Sequence, residues 1–268
     1  SLSIYFVGLL SDKKYLFSPN LRLFLQSIIV FSSIYLLEIR IFETRIEILD
    51  NLLNNEFISV IFTAFCLLIL MNGSNFIDGI NCNLILYYLA VSFILLLFNN
   101  INEHSLINKI DILIIIISLL IALVLNFLGK ITSGDGGAYL ISFFLGINLI
   151  YFSSKSSLIS PFFIVLLLWY PAFENFFSIL RKLKIQKSAL EADFKHLHQL
   201  LFLFINRSLK SKLLSNNISG IIINSYNIII FLISIKFYHH TQTMIMLVLF
   251  NIIFYLFAYF KLLVALKK

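Results

Sequence analysis

The constraint that dominates this chain is a succession of apolar runs too long and too continuous to be strands. Segments such as 60–70, 84–98 and 111–128 consist almost wholly of Ile, Leu, Val, Phe and Ala. A helix needs about 20 mostly apolar residues to cross the hydrocarbon core of a bilayer. Barrel strands would show a two-residue alternation that is missing here. With 60% hydrophobic and only 12% charged residues among 268, a soluble fold would leave large apolar patches in water. The fold class expected is all-α: a polytopic transmembrane helical bundle of about eight spans plus a partial first helix. Lipid satisfies no backbone amide, so non-helical stretches belong at an interface or along a protected cavity.

The eight spans fall at about 21–39, 57–71, 84–98, 111–128, 138–152, 158–180, 218–237 and 243–263. Ahead of them, Ile4 to Leu10 is apolar but too short to span. It reads as the tail of a helix whose beginning is missing, so the chain is expected to be N-terminally incomplete. Ser18-Pro19-Asn20 is a helix start with Pro in the first turn. No cleavable leader pattern, internal repeat or low-complexity linker is visible, and 1–268 is read as a single integral-membrane domain.

Charge sets the orientation. The net charge is +7, and the segment 181–212 alone holds eight basic residues against two acids. A basic loop beside membrane spans marks the cytoplasmic side, whereas 38–56, with five acids and two arginines, is placed outside. Counting spans from a cytoplasmic Asp12 puts 11–20, 72–83, 129–137, 181–212 and the C-terminus on one face. Nucleic acid is excluded as a partner, because no soluble basic domain exists to hold it. Cys66 and Cys82 show neither disulfide nor metal spacing.

Every unusual polar motif falls on that inner face. The insert 72–83 reads Asn-Gly-Ser-Asn-Phe-Ile-Asp-Gly-Ile-Asn-Cys-Asn and interrupts two apolar runs. Asn72, Asn75, Asp78 and Asn81 supply oxygen ligands, although a solvated turn would use the same residue types. Asp135 stands among Gly134, Gly136 and Gly137, which let an ion or phosphate approach the backbone ahead of a helix N-terminus. A plain helix cap before Ala138 is the alternative. Asp12 precedes two lysines, and His196 and His198 lie among Asp193, Lys195 and Gln199. Carboxylates, amides and imidazoles in a positive field suit a hard cation such as Mg²⁺ bridging to phosphate oxygens. Zinc fits worse. Glu174, inside an apolar span, needs a partner, and Arg181 or Lys182 is the expected one.

These motifs resemble a known family. Gly8-Leu-Leu-Ser-Asp12 with Ser18-Pro19-Asn-Leu-Arg22 looks like its Gly-x-x-(Asp/Glu)-Asp loop and Ser-Pro-x-x-Arg follow-on. Asn72-Gly-Ser-Asn75-Phe-Ile-Asp78-Gly79-Ile-Asn81 is similar to its Asn-x-x-Asn-x-x-Asp-Gly-x-(Asp/Asn) motif. Gly134-Asp135-Gly-Gly137 and His196-Leu-His198 resemble its Gly-Asp-x-Gly and His-x-His. The family is the polyprenyl-phosphate N-acetylhexosamine-1-phosphate transferases (glycosyltransferase family 4). It includes the phospho-N-acetylmuramoyl-pentapeptide transferase and the GlcNAc-1-phosphate transferases that initiate O-antigen of lipopolysaccharide and other glycans.

The resemblance implies Mg²⁺-dependent transfer of a sugar 1-phosphate from a UDP-sugar to a polyprenyl phosphate such as undecaprenyl phosphate, releasing UMP, with Mn²⁺ the alternative ion. It implies a multi-pass protein of the bacterial plasma membrane whose active site faces the cytoplasm and serves cell-wall or envelope glycan synthesis. By that similarity Asp135 would hold the ion, with Asn75. Asp12 would sit by the metal and the attacking lipid phosphate, and Asp78 is the third catalytic carboxylate. Asn72, Asn75, Asp78 and Asn81 would bind the nucleotide sugar, while His196 and His198 would meet its diphosphate. Ser11 replaces the first acid of the loop, and Asn81 makes the pentapeptide substrate less fitting than a simpler UDP-sugar. The family's first spans are expected to be absent, which leaves an inactive remnant as one alternative and a transporter-like bundle as another. A homodimer is an open expectation.

Overall fold

The computed structural model describes residues 2–16, 18–99, 109–184 and 195–267. Residues 100–108, and the centre of the basic segment with Lys187, Glu191 and Asp193, lie outside the described residues. Among the described residues every regular element is helical: α1 (Leu2–Asp12), α2 (Pro19–Leu37), α3 (Glu47–Leu53), α4 (Glu56–Ile77), α5 (Asn83–Asn99), α6 (Lys109–Phe127), α7 (Gly134–Lys155), α8 (Pro161–Leu167), α9 (Trp169–Lys184), α10 (Leu197–Leu209), α11 (Lys212–Ser234) and α12 (Thr241–Lys267). The all-α membrane bundle expected from the apolar runs is the fold. Six helices, α2, α4, α6, α7, α11 and α12, are long and apolar enough to cross a membrane singly. The segment 158–180 becomes the pair α8 and α9, bent by 72°. Of the eight expected spans, only 84–98 forms a shorter apolar helix, α5, as does the partial first helix, α1.

Helix starts follow local chemistry. Ser18 Oγ accepts from the Leu21 amide at 3.4 Å with Pro19 opening α2, and Asn55 Oδ1 caps α4 through the amides of Phe57 and Ile58. One boundary departs from the sequence reading. The polar insert expected over 72–83 is mostly helix, because α4 continues to Ile77 and leaves only 78–82 as the turn. The polar side chains there feed the helix rather than break it. Asn72 Nδ2 donates to the Leu68 carbonyl at 2.9 Å and Ser74 Oγ to that of Leu70 at 2.7 Å, each bonding back one turn.

The bend between α8 and α9 has an identifiable cause. Pro171 has no N–H to give the carbonyl of Leu167 four residues back. That orphaned oxygen, deep in the core, accepts instead from the Tyr87 hydroxyl of α5 at 2.8 Å. Gly73 of α4 lies against the same place, and a Cβ built on it would stand 2.0 Å from the Pro171 carbonyl oxygen. Asn175 Nδ2 of α9 donates to the Ile69 carbonyl of α4 at 3.0 Å, fixing the register of the two helices.

The packing is graded around α7. In its most apolar 18-residue window 67% of residues are buried, against 17% for α2, α6 and α12, whose outward Ile, Leu and Phe side chains form the apolar exterior. α7 packs along α1 and against α4, and α4 packs against α9. The helix that carries Asp135 is thus the innermost long one.

The two ends of the bundle differ. At one end, Arg45 in the acidic loop donates to the carbonyls of His239 (3.0 Å) and Ser157 (2.5 Å) and to Thr241 Oγ1 (3.1 Å), tying three connections together. The polar motifs gather at the other end, as the count of spans requires.

Because Gly73 has no room for a methyl group, Gly73→Ala is expected to push α4 from α9 and cost about 1–3 kcal/mol. A lowered thermal unfolding midpoint in detergent checks this. An unchanged midpoint would mean the α4–α9 contact is looser than described.

Candidate active site

Three segments distant in sequence meet at the N-terminus of α7. Its first amides have no partner within the helix, and they point at carboxylates from elsewhere. Asp12, at the end of α1, accepts from the Asp135 amide at 2.9 Å with Oδ1 and from the Gly136 amide at 3.1 Å with Oδ2. Asp78, just beyond α4, accepts from the Gly134 amide at 2.9 Å. Asp135 is therefore not the cap. It lies inside the first turn, and Asp12 and Asp78 cap the helix from outside.

Freed from capping, the Asp135 side chain faces Arg22 and Ser11. Arg22 Nη1 donates to Asp135 Oδ2 at 2.8 Å and to Ser11 Oγ at 2.7 Å, and Ser11 Oγ donates to the same Oδ2 at 2.5 Å. The pair is partly exposed, with 26% of the Arg22 and 18% of the Asp135 side chain accessible. Asp135 Oδ1 accepts no hydrogen bond from the described residues. Burial pushes the Asp78 carboxyl up to about 7, the Ser133 hydroxyl and Gly134 amide opposing and the charges of Asp12 and Asp135 adding to the rise. Three acids crowd one helix end, and the one in the least solvated position holds its proton longest.

Beside this cluster opens a cleft of about 770 Å³, lined by Arg22, Asn72, Asn75, Phe76, Tyr139, Lys182, His196 and Gln199 and, deeper, by Phe65, Leu68 and Ile69. Asn75 Nδ2 donates to the Tyr139 hydroxyl at 3.4 Å, one helical turn after Asp135. Asn72 Nδ2 also donates to Gln26 Oε1 at 3.1 Å. Ile69 also lines a second, almost wholly apolar cavity of about 370 Å³, bounded by Cys66, Leu70, Ile164, Trp169, Phe173 and Phe176 at the α8–α9 bend. A cleft lined by two cations and an apolar hollow thus share Ile69 as a wall.

The two histidines part company. His196, at the start of α10, lines the cleft, its amide held by Gln199 Oε1 at 3.1 Å. His198 is fully buried, neither ring nitrogen has a hydrogen-bond partner, and its ring stacks parallel on that of His196 with centroids 5.5 Å apart. Burial pulls the His198 imidazole down to about 3, the Glu174 charge opposing and that of His196 assisting, so this ring is neutral at physiological pH. The structure therefore gives His198 the place of a buttress. Asn81 also points elsewhere, donating to Asn217 Oδ1 at 3.1 Å. Glu174 turns to His196 Nδ1, at 2.8 Å, rather than to Arg181 or Lys182.

Of the residues singled out in the sequence, Asp12, Asp78 and Asp135 come together, and Asn72, Asn75 and His196 share the adjoining cleft. Four further residues belong to the site. Arg22 was visible as the end of Ser-Pro-x-x-Arg, and Tyr139 follows Asp135 by one helical turn. Lys182 looked like any member of a basic run, but it is 3% exposed and lies over the Phe76 ring at 5.5 Å. Nothing in the spacing linked Glu174 to His196. As for a metal, among the described residues no three His, Cys, Asp or Glu converge as a cage. A magnesium ion that keeps waters and takes substrate phosphates needs only one or two protein carboxylates. Asp135 Oδ1 and the Asn75 side-chain oxygen are hard donors without a hydrogen from the described residues, and they fit that requirement.

The fold and site define an all-α membrane-embedded protein whose carboxylate-rich helix end lies beside a cleft lined by Arg22 and Lys182. The chain belongs to glycosyl transferase family 4, whose family model matches residues 1–153. The matched part contains the Asp12, Asn72–Asp78 and Asp135 motifs, and His196 lies beyond it. Membership indicates a polyprenyl-phosphate sugar-phosphate transferase. No curated protein and no solved structure gives a significant match.

The raised carboxyl of Asp78 has a pH signature. Between about 4 and 7 the folded state holds a proton that the unfolded chain has released, so this residue makes stability fall as pH rises through that window. Asp78→Asn is expected to flatten that part of the profile, read as the difference in unfolding midpoint between variant and wild type from pH 4 to 8. Parallel profiles would contradict the burial of Asp78. Asp12→Ala removes two caps of α7 and is expected to cost about 1–2 kcal/mol.

Proposed function

We propose that the protein transfers a sugar 1-phosphate of the N-acetylhexosamine type from a UDP-sugar to polyprenyl phosphate, releasing UMP, and so begins an envelope glycan. The observation that carries this reading is the shared wall at Ile69, which sets a cationic cleft beside an apolar hollow. A substrate pair of one water-soluble diphosphate and one phosphate on an isoprenoid chain calls for both. The reading includes a bacterial plasma-membrane location with the cleft open to the cytoplasm, supported by the basic residues on the same side of the bundle.

In the reaction, an oxygen of the lipid phosphate attacks the β-phosphorus of the UDP-sugar, the bond from that phosphorus to the bridging oxygen breaks, and UMP leaves. Such a step needs alignment and charge neutralisation more than a strong base. Mg²⁺, with Mn²⁺ the alternative, would be held by Asp135 and Asn75 and would offset charge on the phosphate oxygens. Arg22 and Lys182 bring further positive charge to the cleft, and His196 meets the diphosphate. Asp12 keeps the first turn of α7 in place beside the attacking phosphate. Asn72 and Asp78 adjoin the nucleotide sugar, and Asn81 acts through its bond to Asn217.

In membranes or nanodiscs holding the chain, UMP release from a UDP-N-acetylhexosamine is expected to require both polyprenyl phosphate and Mg²⁺, and to stop with EDTA and return with added metal. Asp135→Asn is expected to lower the rate at least about 100-fold. Full activity in Asp135→Asn, or UMP release indifferent to the lipid acceptor, would defeat the proposal.

A further inference from the structure

Glu174 is a fully buried carboxyl group that the proposed reaction leaves unused. It lies on α9 with no exposure, and its Oε2 has no hydrogen-bond partner. A carboxyl group removed from water is strongly destabilising unless it is paired. Its Oε1 is paired, at 2.8 Å from His196 Nδ1. His196 in turn packs against Phe76, tilted at 5.1 Å, and against the parallel ring of His198 at 5.5 Å. Its backbone amide is held by Gln199. The residue is nearly enclosed, at 3% exposure. Nε2, on the far edge, has no partner among the described residues, and the residue lines the cleft.

We propose that Glu174 is a positioning residue: through Nδ1 it fixes the tautomer and orientation of His196 so that Nε2 is presented to the nucleotide-sugar diphosphate. A carboxylate can only accept, so the Nδ1 position must carry the proton. When an anionic oxygen occupies the cleft, a proton on Nε2 makes a charge-assisted hydrogen bond, and the imidazolium then lies between two anions. Glu174 supplies the inner one. The same logic orients histidines that serve metals, where a carboxylate behind the ring selects the working nitrogen. This inference rests on the proposed function in one respect, that His196 meets the diphosphate.

A four-member cycle tests it on the full chain in nanodiscs: wild type, Glu174→Gln, His196→Asn and the double variant. The readouts are KM for the UDP-sugar, KM for polyprenyl phosphate, and the ¹⁵N resonances of His196, assigned by their loss in His196→Asn. Glutamine keeps the volume and removes the charge. Glu174→Gln is expected to raise the UDP-sugar KM about tenfold or more, to leave the lipid KM within about twofold, and to move the His196 resonances away from the form protonated at Nδ1. In the His196→Asn background the same substitution is expected to add less than about twofold, because its effect passes through the missing ring. Equal losses in both backgrounds, or unchanged ¹⁵N resonances in Glu174→Gln, would overturn the role of Glu174 while leaving the transferase reading intact. Wild-type kinetics in His196→Asn would instead overturn the diphosphate contact and the inference with it.

Discussion

The two hydrogen bonds from the backbone of α7 to the carboxylate of Asp12 are the contact on which the site's arrangement depends. A helix N-terminus carries a partial positive charge and unpaired donors, and an acid supplied from another helix satisfies both. Here that acid ends α1, so the interaction also joins the first helix to the innermost one. With the amide of residue 135 engaged, its own carboxylate is released to face Arg22. The division of labour among three similar side chains follows from this: two close the helix end, and the third is left with one oxygen on a guanidinium and one uncommitted.

Placing charge at such a helix end raises the question of how three acids coexist. Arg22 offsets one of them and the α7 backbone draws on two. Asp78, withdrawn from water by burial, retains its proton toward neutrality and so adds less to the repulsion. Ser11 matters in the same balance. A second acid at that position would add another negative charge beside Asp135, whereas the hydroxyl donates to it. The chain therefore carries one acid fewer here than the motif it resembles.

Much of this was legible from residue order and some was not, for physical reasons. Continuous apolar runs specify spanning helices because lipid admits little else, and each expected span is helical, with 158–180 broken into a bent pair. The convergence of the motifs on one end followed from parity and charge. Where helices ended was harder to read, since the Asn and Ser residues from 72 to 75 can bond back to their own turn and extend α4 rather than stop it. Partnerships across helices were hidden altogether. Glu174 had cationic neighbours about two turns away in sequence, yet packing delivered a histidine from another element. Asp12 stood in the sequence only as an acid before two lysines, and its capping of α7 showed once that helix was laid beside it. His198, matched by motif to its neighbour, proved to differ in what it meets: His196 has Glu174 and the cleft, whereas the ring nitrogens of His198 have no partner, and spacing alone does not encode that.

The knot that Arg45 makes at the far end of the bundle has a mechanical consequence. Its guanidinium clamps the connections preceding α3, between α7 and α8, and between α11 and α12. Helices pinned at one extremity open like the blades of a fan rather than sliding past each other. The lever arm runs from that pivot to the opposite end of the bundle, where the acids and the cleft lie.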